Sequence, residues 1–200
     1  MKKLESTWYN MLIVLTLIAV VAGAALGFVN QKTSPLISEN DAKAEAAGVI
    51  EVLKAENVEV QRKDTVGNSI VYITNKGIAV KAEYANAFDG TLTLLVGFDY
   101  EGNILGYKVL KTNETPGLGA KADKWFQEGS KGNIVGMSPA KNNMTVSKDG
   151  GEVDAITAST ITSRAFLRAV NTAYAAMNNS NEDVQSGASV RHHDMKGGEQ

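Results

Sequence analysis

A chain of 200 residues has room for one domain with an anchor and a tail, and 44% hydrophobic with 21% charged residues is the composition of a folded protein. Cysteine is absent, which excludes disulfide frameworks, thiolate zinc sites, iron–sulfur ligation and cysteine nucleophiles. The formal net charge of -2 offers no basic field for nucleic acid, and the two histidines, His192 and His193, lie too near the C-terminus to suit a metal site or a Ser-His-Asp triad within the fold.

The first predicted element is a membrane anchor at residues 11–29, reading MLIVLTLIAVVAGAALGFV with no charge and a single hydroxyl, Thr16. As a helix it is about 28 Å long, close to the roughly 30 Å of a bilayer's hydrocarbon core. Trp8 and Tyr9 precede it, where amphipathic rings favour the interface. Lys2 and Lys3 outweigh Glu5 on the near side, so the charge bias puts residues 1–10 in the cytoplasm and everything after Asn30 outside. Ala22-Gly23-Ala24 has the small residues of a signal-peptide cleavage site, but the apolar run continues through Leu26, Phe28 and Val29, which favours retention. A buried core helix would show a polar stripe.

Residues 30–60 read as a connecting segment. Pro35 closes the juxtamembrane stretch, and Asn40-Asp41 caps a short helix whose Ala46, Val49, Ile50 and Leu53 recur at helical spacing. Two hairpins follow: residues 69–74 and 78–84 around Asn75-Lys76-Gly77, then 92–99 and 104–110 around Tyr100-Glu101-Gly102-Asn103. A glycine-rich loop leads to a short helix at 120–127, and short strands are expected at 144–146 and 152–156 around Asp149-Gly150-Gly151. The last helix spans about 160–177, with Phe166, Val170, Ala173 and Met177 on one face; residues 179–200 are polar and read as a fraying tail. The sum is an α+β domain at 61–178, antiparallel strands with packing helices.

Two segments carry the chemistry. Residues 157–163 place five hydroxyls in seven positions, Thr157, Ser159, Thr160, Thr162 and Ser163, just after Asp154 and at the entrance of the last helix. Hydroxyls there cap orphan N–H groups, and the same N-terminus with its dipole also suits a phosphate. Arg164 and Arg168 stand one turn apart on that helix, either supporting an anion or solvated. The second segment is Glu114-Thr115-Pro116-Gly117-Leu118-Gly119, in which proline and glycines let the backbone approach a flat ligand or simply make a turn.

The pairing of ETPGLG with D-x-x-T-x-x-T-x-T-S, behind one N-terminal membrane helix, resembles the FMN-binding subunits of ion-translocating electron-transport complexes. The likeness is nearest to the G subunits of Rnf/Rsx ferredoxin–NAD oxidoreductases, with the C subunit of the sodium-pumping NADH:quinone reductase as the related alternative. It spans the anchor and most of residues 61–178. The resemblance implies a bacterial inner-membrane flavoprotein, single-pass, that relays electrons among partner subunits and does not catalyse alone. It implies a flavin transferase that joins FMN through its phosphate to the hydroxyl of Thr160. It also implies that Glu114, Thr115, Gly117, Leu118 and Gly119 line the flavin, with Thr157 and Ser163 as secondary phosphate contacts. The usual Gly-Ala of the motif is here Ala158-Ser159. A reading from another class is a non-redox, membrane-tethered binding or envelope protein whose hydroxyl-rich helix start is only a cap.

Overall fold

The computed structural model describes residues 7–88 and 90–186. Lys2, Lys3 and Glu5, the end of the tail from residue 187, and both histidines lie outside the described residues. Helix α1 runs Trp8–Val52 and contains Pro35. The expected break at Pro35 is therefore absent, and Asn40-Asp41 lie within the helix rather than at a cap. A proline removes one backbone bond from a helix interior, and here hydroxyls flank it: Thr33 donates to Val29 O at 2.9 Å and Ser38 donates to Pro35 O at 2.9 Å.

The chain forms two compact units, Met1–Ala44 and Glu45–Gln200. In the first, the apolar stretch of α1 is exposed on all sides: Leu15 is 71% and Leu26 72% accessible. A helix apolar all round and buried against nothing suits lipid rather than water. It is long and apolar enough to cross a membrane.

The second unit is built on five antiparallel strands in sequential order, β1 (Val60–Val66), β2 (Ser69–Thr74), β3 (Ile78–Ala87), β4 (Gly90–Phe98) and β5 (Ile104–Lys111). Both predicted hairpins are present, β2–β3 and β4–β5. Strand β1 is additional: its VQRKDTV sequence is polar because it lies at the sheet edge and is largely exposed. A charged edge strand hides from hydrophobic patterning and protects the sheet from further pairing. The two-residue Gly67-Asn68 loop between β1 and β2 is the signal that reveals it, with Gly67 at φ 58°.

Successive residues of a strand face opposite sides, and both sides of this sheet are covered. Val71, Val80, Leu94, Val96 and Phe98 share a cluster with Phe166, Leu167, Val170 and Ala173 of helix α3 (Thr160–Ser186). Tyr72, Ala79 and Leu95 pack with Val49, Val52 and Leu53 on the other side. The inner strand β4 therefore reads as a continuous apolar run, buried from Leu92 to Phe98. Gly97 and Gly106 have no side chain because the Val52 backbone lies against them; a Cβ on Gly106 would meet Val52 O at 3.0 Å. Glu45 accepts from the Tyr72 hydroxyl and pairs with Lys81 at 2.7 Å.

Two sequence expectations give way to packing. The strands expected at 144–146 and 152–156 reduce to one parallel bridge, Val146 to Val153, because a 3-10 turn at Ser147–Asp149 intervenes and Gly150 takes φ 84°. Helix α3 extends through residues 179–186 to Ser186, where the polar sequence suggested a frayed tail; the Ser180 hydroxyl donates to Asp64 of β1 at 2.9 Å. Helix α2 (Ala122–Trp125) follows a 3-10 turn at Gly119–Lys121 and is held to β5 through Tyr107. The Tyr107 hydroxyl donates to Ala122 O at 2.6 Å and accepts from Phe126 N at 3.1 Å, and burial pushes its phenol well above the usual range. Phe126 stacks on Phe166 at 4.2 Å between centroids.

Candidate functional site

Strand β5 delivers the chain into the loop 114–119, and two glycines shape that loop for different reasons. Thr115-Pro116-Gly117-Leu118 is a turn closed by Leu118 N donating to Thr115 O at 3.1 Å. Proline fixes the second position and Gly117 takes φ 80° at the third, where a side chain is strained although nothing lies within 4 Å of it. Gly119 is needed for close approach instead. A Cβ there would collide with Glu114 Oε2 and sit 2.8 Å from Thr162 Oγ1.

That crowding exists because Glu114, only 7% exposed, is anchored from two directions. The Phe88 N–H donates to its Oε1 at 3.0 Å, from the turn between β3 and β4. The Thr162 hydroxyl donates to its Oε2 at 2.9 Å, from the first turn of α3. One buried carboxylate thus ties three distant segments together.

The start of α3 is organised by Ser163, which is fully buried. Its Oγ donates to Ser159 O at 2.9 Å and accepts from Ile156 N at 2.9 Å. It clamps the turn Ile156–Ser159, which closes through Ser159 N to Ile156 O at 3.0 Å. Ala158 occupies that turn at φ 62°. The position suits glycine, so the alanine that replaces the motif's usual glycine holds a left-handed conformation at a cost of about 1 kcal/mol or more. Ala158→Gly is expected to leave the fold intact and raise unfolding stability by up to about 1 kcal/mol, because relief of that strain exceeds glycine's added chain entropy. Urea unfolding measures it, and a clear loss of stability would contradict the strain.

Between these segments lies a cavity of about 300 Å³, lined by Phe88, Glu114, Thr115, Leu118, Gly119 and residues 158–162. This is the lower end of the range for small-molecule sites. Of the residues singled out in the sequence, it brings together Glu114, Thr115, Leu118, Gly119, Ser159, Thr160 and Thr162. Gly117 lies on the opposite wall of the loop, facing a second cavity with Pro116, Lys121, Lys124 and Trp125. Thr157 is exposed in the turn and outside the lining, and the Ser163 hydroxyl is taken up by its clamp. Asp154 is also outside: its carbonyl accepts from Trp125 Nε1 at 2.8 Å and its carboxylate from Ser147 at 3.0 Å. Neither arginine joins the cavity. Arg164 forms a bidentate pair with Asp149 at 2.6 and 2.7 Å, which holds the Asp149 carboxyl below its ordinary range, and Arg168 donates to the Tyr84 hydroxyl at 3.0 Å.

The five hydroxyls therefore divide. Thr162 and Ser163 are committed to Glu114 and to the turn. Ser159 and Thr160 line the cavity with no hydrogen-bond partner for their hydroxyls among the described residues. The first backbone N–H to find a helical acceptor is that of Ser163, so those of Thr160, Ile161 and Thr162 are the orphan donors of a long helix. Hydroxyls, free N–H groups and the positive end of a helix dipole are the donor set of a phosphate. Phe88, Leu118 and Ile161 line the same cavity and are 65, 42 and 53% exposed, an apolar surface suited to a flat ring. Donors and apolar wall together fit FMN. Phe88 and Ile161 escape the motif reading; the signal for Phe88 is a large apolar residue in an otherwise polar turn.

Residues 88–175 match the FMN-binding domain family. Among relatives, the G subunit of the ion-translocating oxidoreductase complex of Yersinia pestis is 33% identical over 80% of this chain and 86% of its own length. The protein of the same name from Escherichia coli is 33% identical with the same coverage. The G subunit of the Na(+)-translocating ferredoxin:NAD(+) oxidoreductase complex of Acetobacterium woodii is 31% identical over 85% of this chain and 93% of its own. With an apolar anchor helix, an FMN-binding domain and relatives matched over most of their length, the chain belongs to the G-subunit family of ion-translocating oxidoreductase complexes.

Proposed function

We propose that this chain is the membrane-anchored flavoprotein subunit of a ferredoxin:NAD oxidoreductase complex that couples redox chemistry to ion movement. It carries FMN in phosphoester linkage to Thr160. The observation that carries the linkage is the unpartnered Thr160 hydroxyl, half-buried at a helix N-terminus, on a cavity whose other wall is the loop 114–119. A covalent tether makes physical sense for a domain placed outside the cytoplasm, where no flavin pool would replace a lost cofactor; Lys2 and Lys3 before the anchor support that orientation.

Attachment requires an activated flavin phosphate, which a flavin transferase would supply from a phosphoanhydride such as FAD. The Thr160 oxygen forms the new P–O bond, the anhydride bond to the departing nucleoside monophosphate breaks, and the hydroxyl proton is released. Once bound, FMN supplies one- and two-electron redox chemistry. The chain's residues hold and tune it. The orphan N–H groups of α3 would hold the anionic phosphate, and Phe88, Leu118 and Ile161 would offer the ring an apolar surface. Glu114 sets the charge of the site.

Two measurements test this reading. The full chain, produced with a flavin transferase, should fluoresce on a denaturing gel and carry the mass of FMN on the Thr160 peptide; an unmodified peptide would overturn the linkage. Glu114→Gln should raise the flavin midpoint potential by on the order of tens of millivolts, since it removes a negative charge that disfavours the reduced, anionic ring. A redox titration showing no shift, or a lowered potential, would contradict that role.

A further inference from the structure

Beside Thr160, the cavity presents a second hydroxyl that the linkage does not consume. Ser159 is 8% exposed, and the residue before it, Ala158, provides no polar side chain to the cavity. A serine immediately before a helix ordinarily folds its Oγ back onto an N–H of the first turn. This one does not, and among the described residues its hydroxyl has no partner at all. Its carbonyl accounts for its structural work, accepting from both Ser163 N at 3.0 Å and Ser163 Oγ at 2.9 Å. The residue is otherwise packed away, so the open side of its hydroxyl is the cavity, and an acceptor held there is the partner it can take.

We infer that the Ser159 hydroxyl donates a hydrogen bond to an anionic, non-bridging oxygen of the phosphate joined to Thr160. The inference rests on the covalent reading above. Three features place the donor and the charge together. Ser159 and Thr160 are adjacent and line one cavity, so a phosphorus bonded to Thr160 Oγ1 lies within a few bonds' reach of Ser159 Oγ. The orphan N–H groups of Thr160, Ile161 and Thr162 draw the negative oxygens toward the helix start. Glu114 lines the same cavity, its two oxygens held by Phe88 N and Thr162 Oγ1, and the Ser159 hydroxyl does not donate to it. Ser159 is thus a positioning residue for the transfer and for the finished linkage, not the flavin acceptor.

The test uses the full chain, a purified flavin transferase and FAD. Ser159→Ala is expected to take FMN on Thr160 with an initial rate about tenfold lower, the loss that follows from one hydrogen bond to a charged group. Ser159→Thr should restore most of the rate by keeping a hydroxyl. The phosphorus resonance of the loaded protein should shift between wild type and Ser159→Ala, a change that a merely structural role would not produce. Thermal unfolding of the flavin-free chains should coincide, because the Ser159 side chain caps nothing. A Ser159→Ala rate within about twofold of wild type with an unchanged phosphorus resonance would overturn the inference while leaving the Thr160 linkage standing. Flavin found on Ser159 instead would also overturn it. A wild-type chain that takes no flavin at all would remove the covalent reading itself, and the inference with it.

Discussion

Thr160→Ala should abolish covalent flavin completely while leaving the domain folded. In-gel fluorescence and the mass added to the peptide should both vanish, a loss from full occupancy to none. The structural cost is expected to be small, within about 0.5 kcal/mol, because the Thr160 hydroxyl makes no hydrogen bond among the described residues and its side chain is only partly buried. Thr160→Ser preserves the hydroxyl and should still accept flavin. Ser163→Ala is the informative contrast. It leaves the buried Ile156 N–H without its acceptor and should cost about 1–3 kcal/mol, yet it removes no group from the cavity. If Ser163→Ala and Thr160→Ala exchanged these outcomes, the division between structural and reactive hydroxyls would be wrong.

The second large effect is on stability. Gly119→Ala places a methyl against Glu114 Oε2 and Thr162 Oγ1, where neither partner can yield without breaking the hydrogen bond that joins α3 to the loop. Overpacking and an unsatisfied buried carboxylate together predict a loss of about 2–4 kcal/mol in urea unfolding, with flavin loading impaired because the cavity wall moves. Gly117→Ala, only two residues away, meets no neighbour within 4 Å and bears only the strain of φ 80°. It should cost about 1–2 kcal/mol. An equal or smaller effect at Gly119 than at Gly117 would show that close approach is not what the second glycine serves.

These two glycines illustrate how much of the site the sequence carries. Pro116-Gly117 announces a turn by local rules, because proline's φ and glycine's freedom act within four residues. Nothing local announces Gly119, whose requirement comes from Glu114 and Thr162, and the latter is 48 residues from Glu114. The fold divides in the same way. The hairpins β2–β3 and β4–β5 follow from apolar runs and turn residues, whereas β1 and the polar continuation of α3 are fixed by tertiary contacts such as Ser180 with Asp64. Pro35 misleads because its local penalty is real but smaller than what a long helix retains on either side.

The composition, with no cysteine and its two histidines at His192 and His193, already pointed redox chemistry to a cofactor held by other groups. The sequence alone also determined the anchor, the two hairpins β2–β3 and β4–β5 and the hydroxyl-rich entry to the last helix, since each is written in a local pattern. Only the tertiary structure decided which hydroxyls are free. Thr162 is taken by Glu114, Ser163 by Ile156 and Ser159 O, and Thr157 lies outside the cavity, which leaves Ser159 and Thr160 facing it. The residue type sets what a hydroxyl can do, and the partner within hydrogen-bonding distance settles whether it remains available to do it.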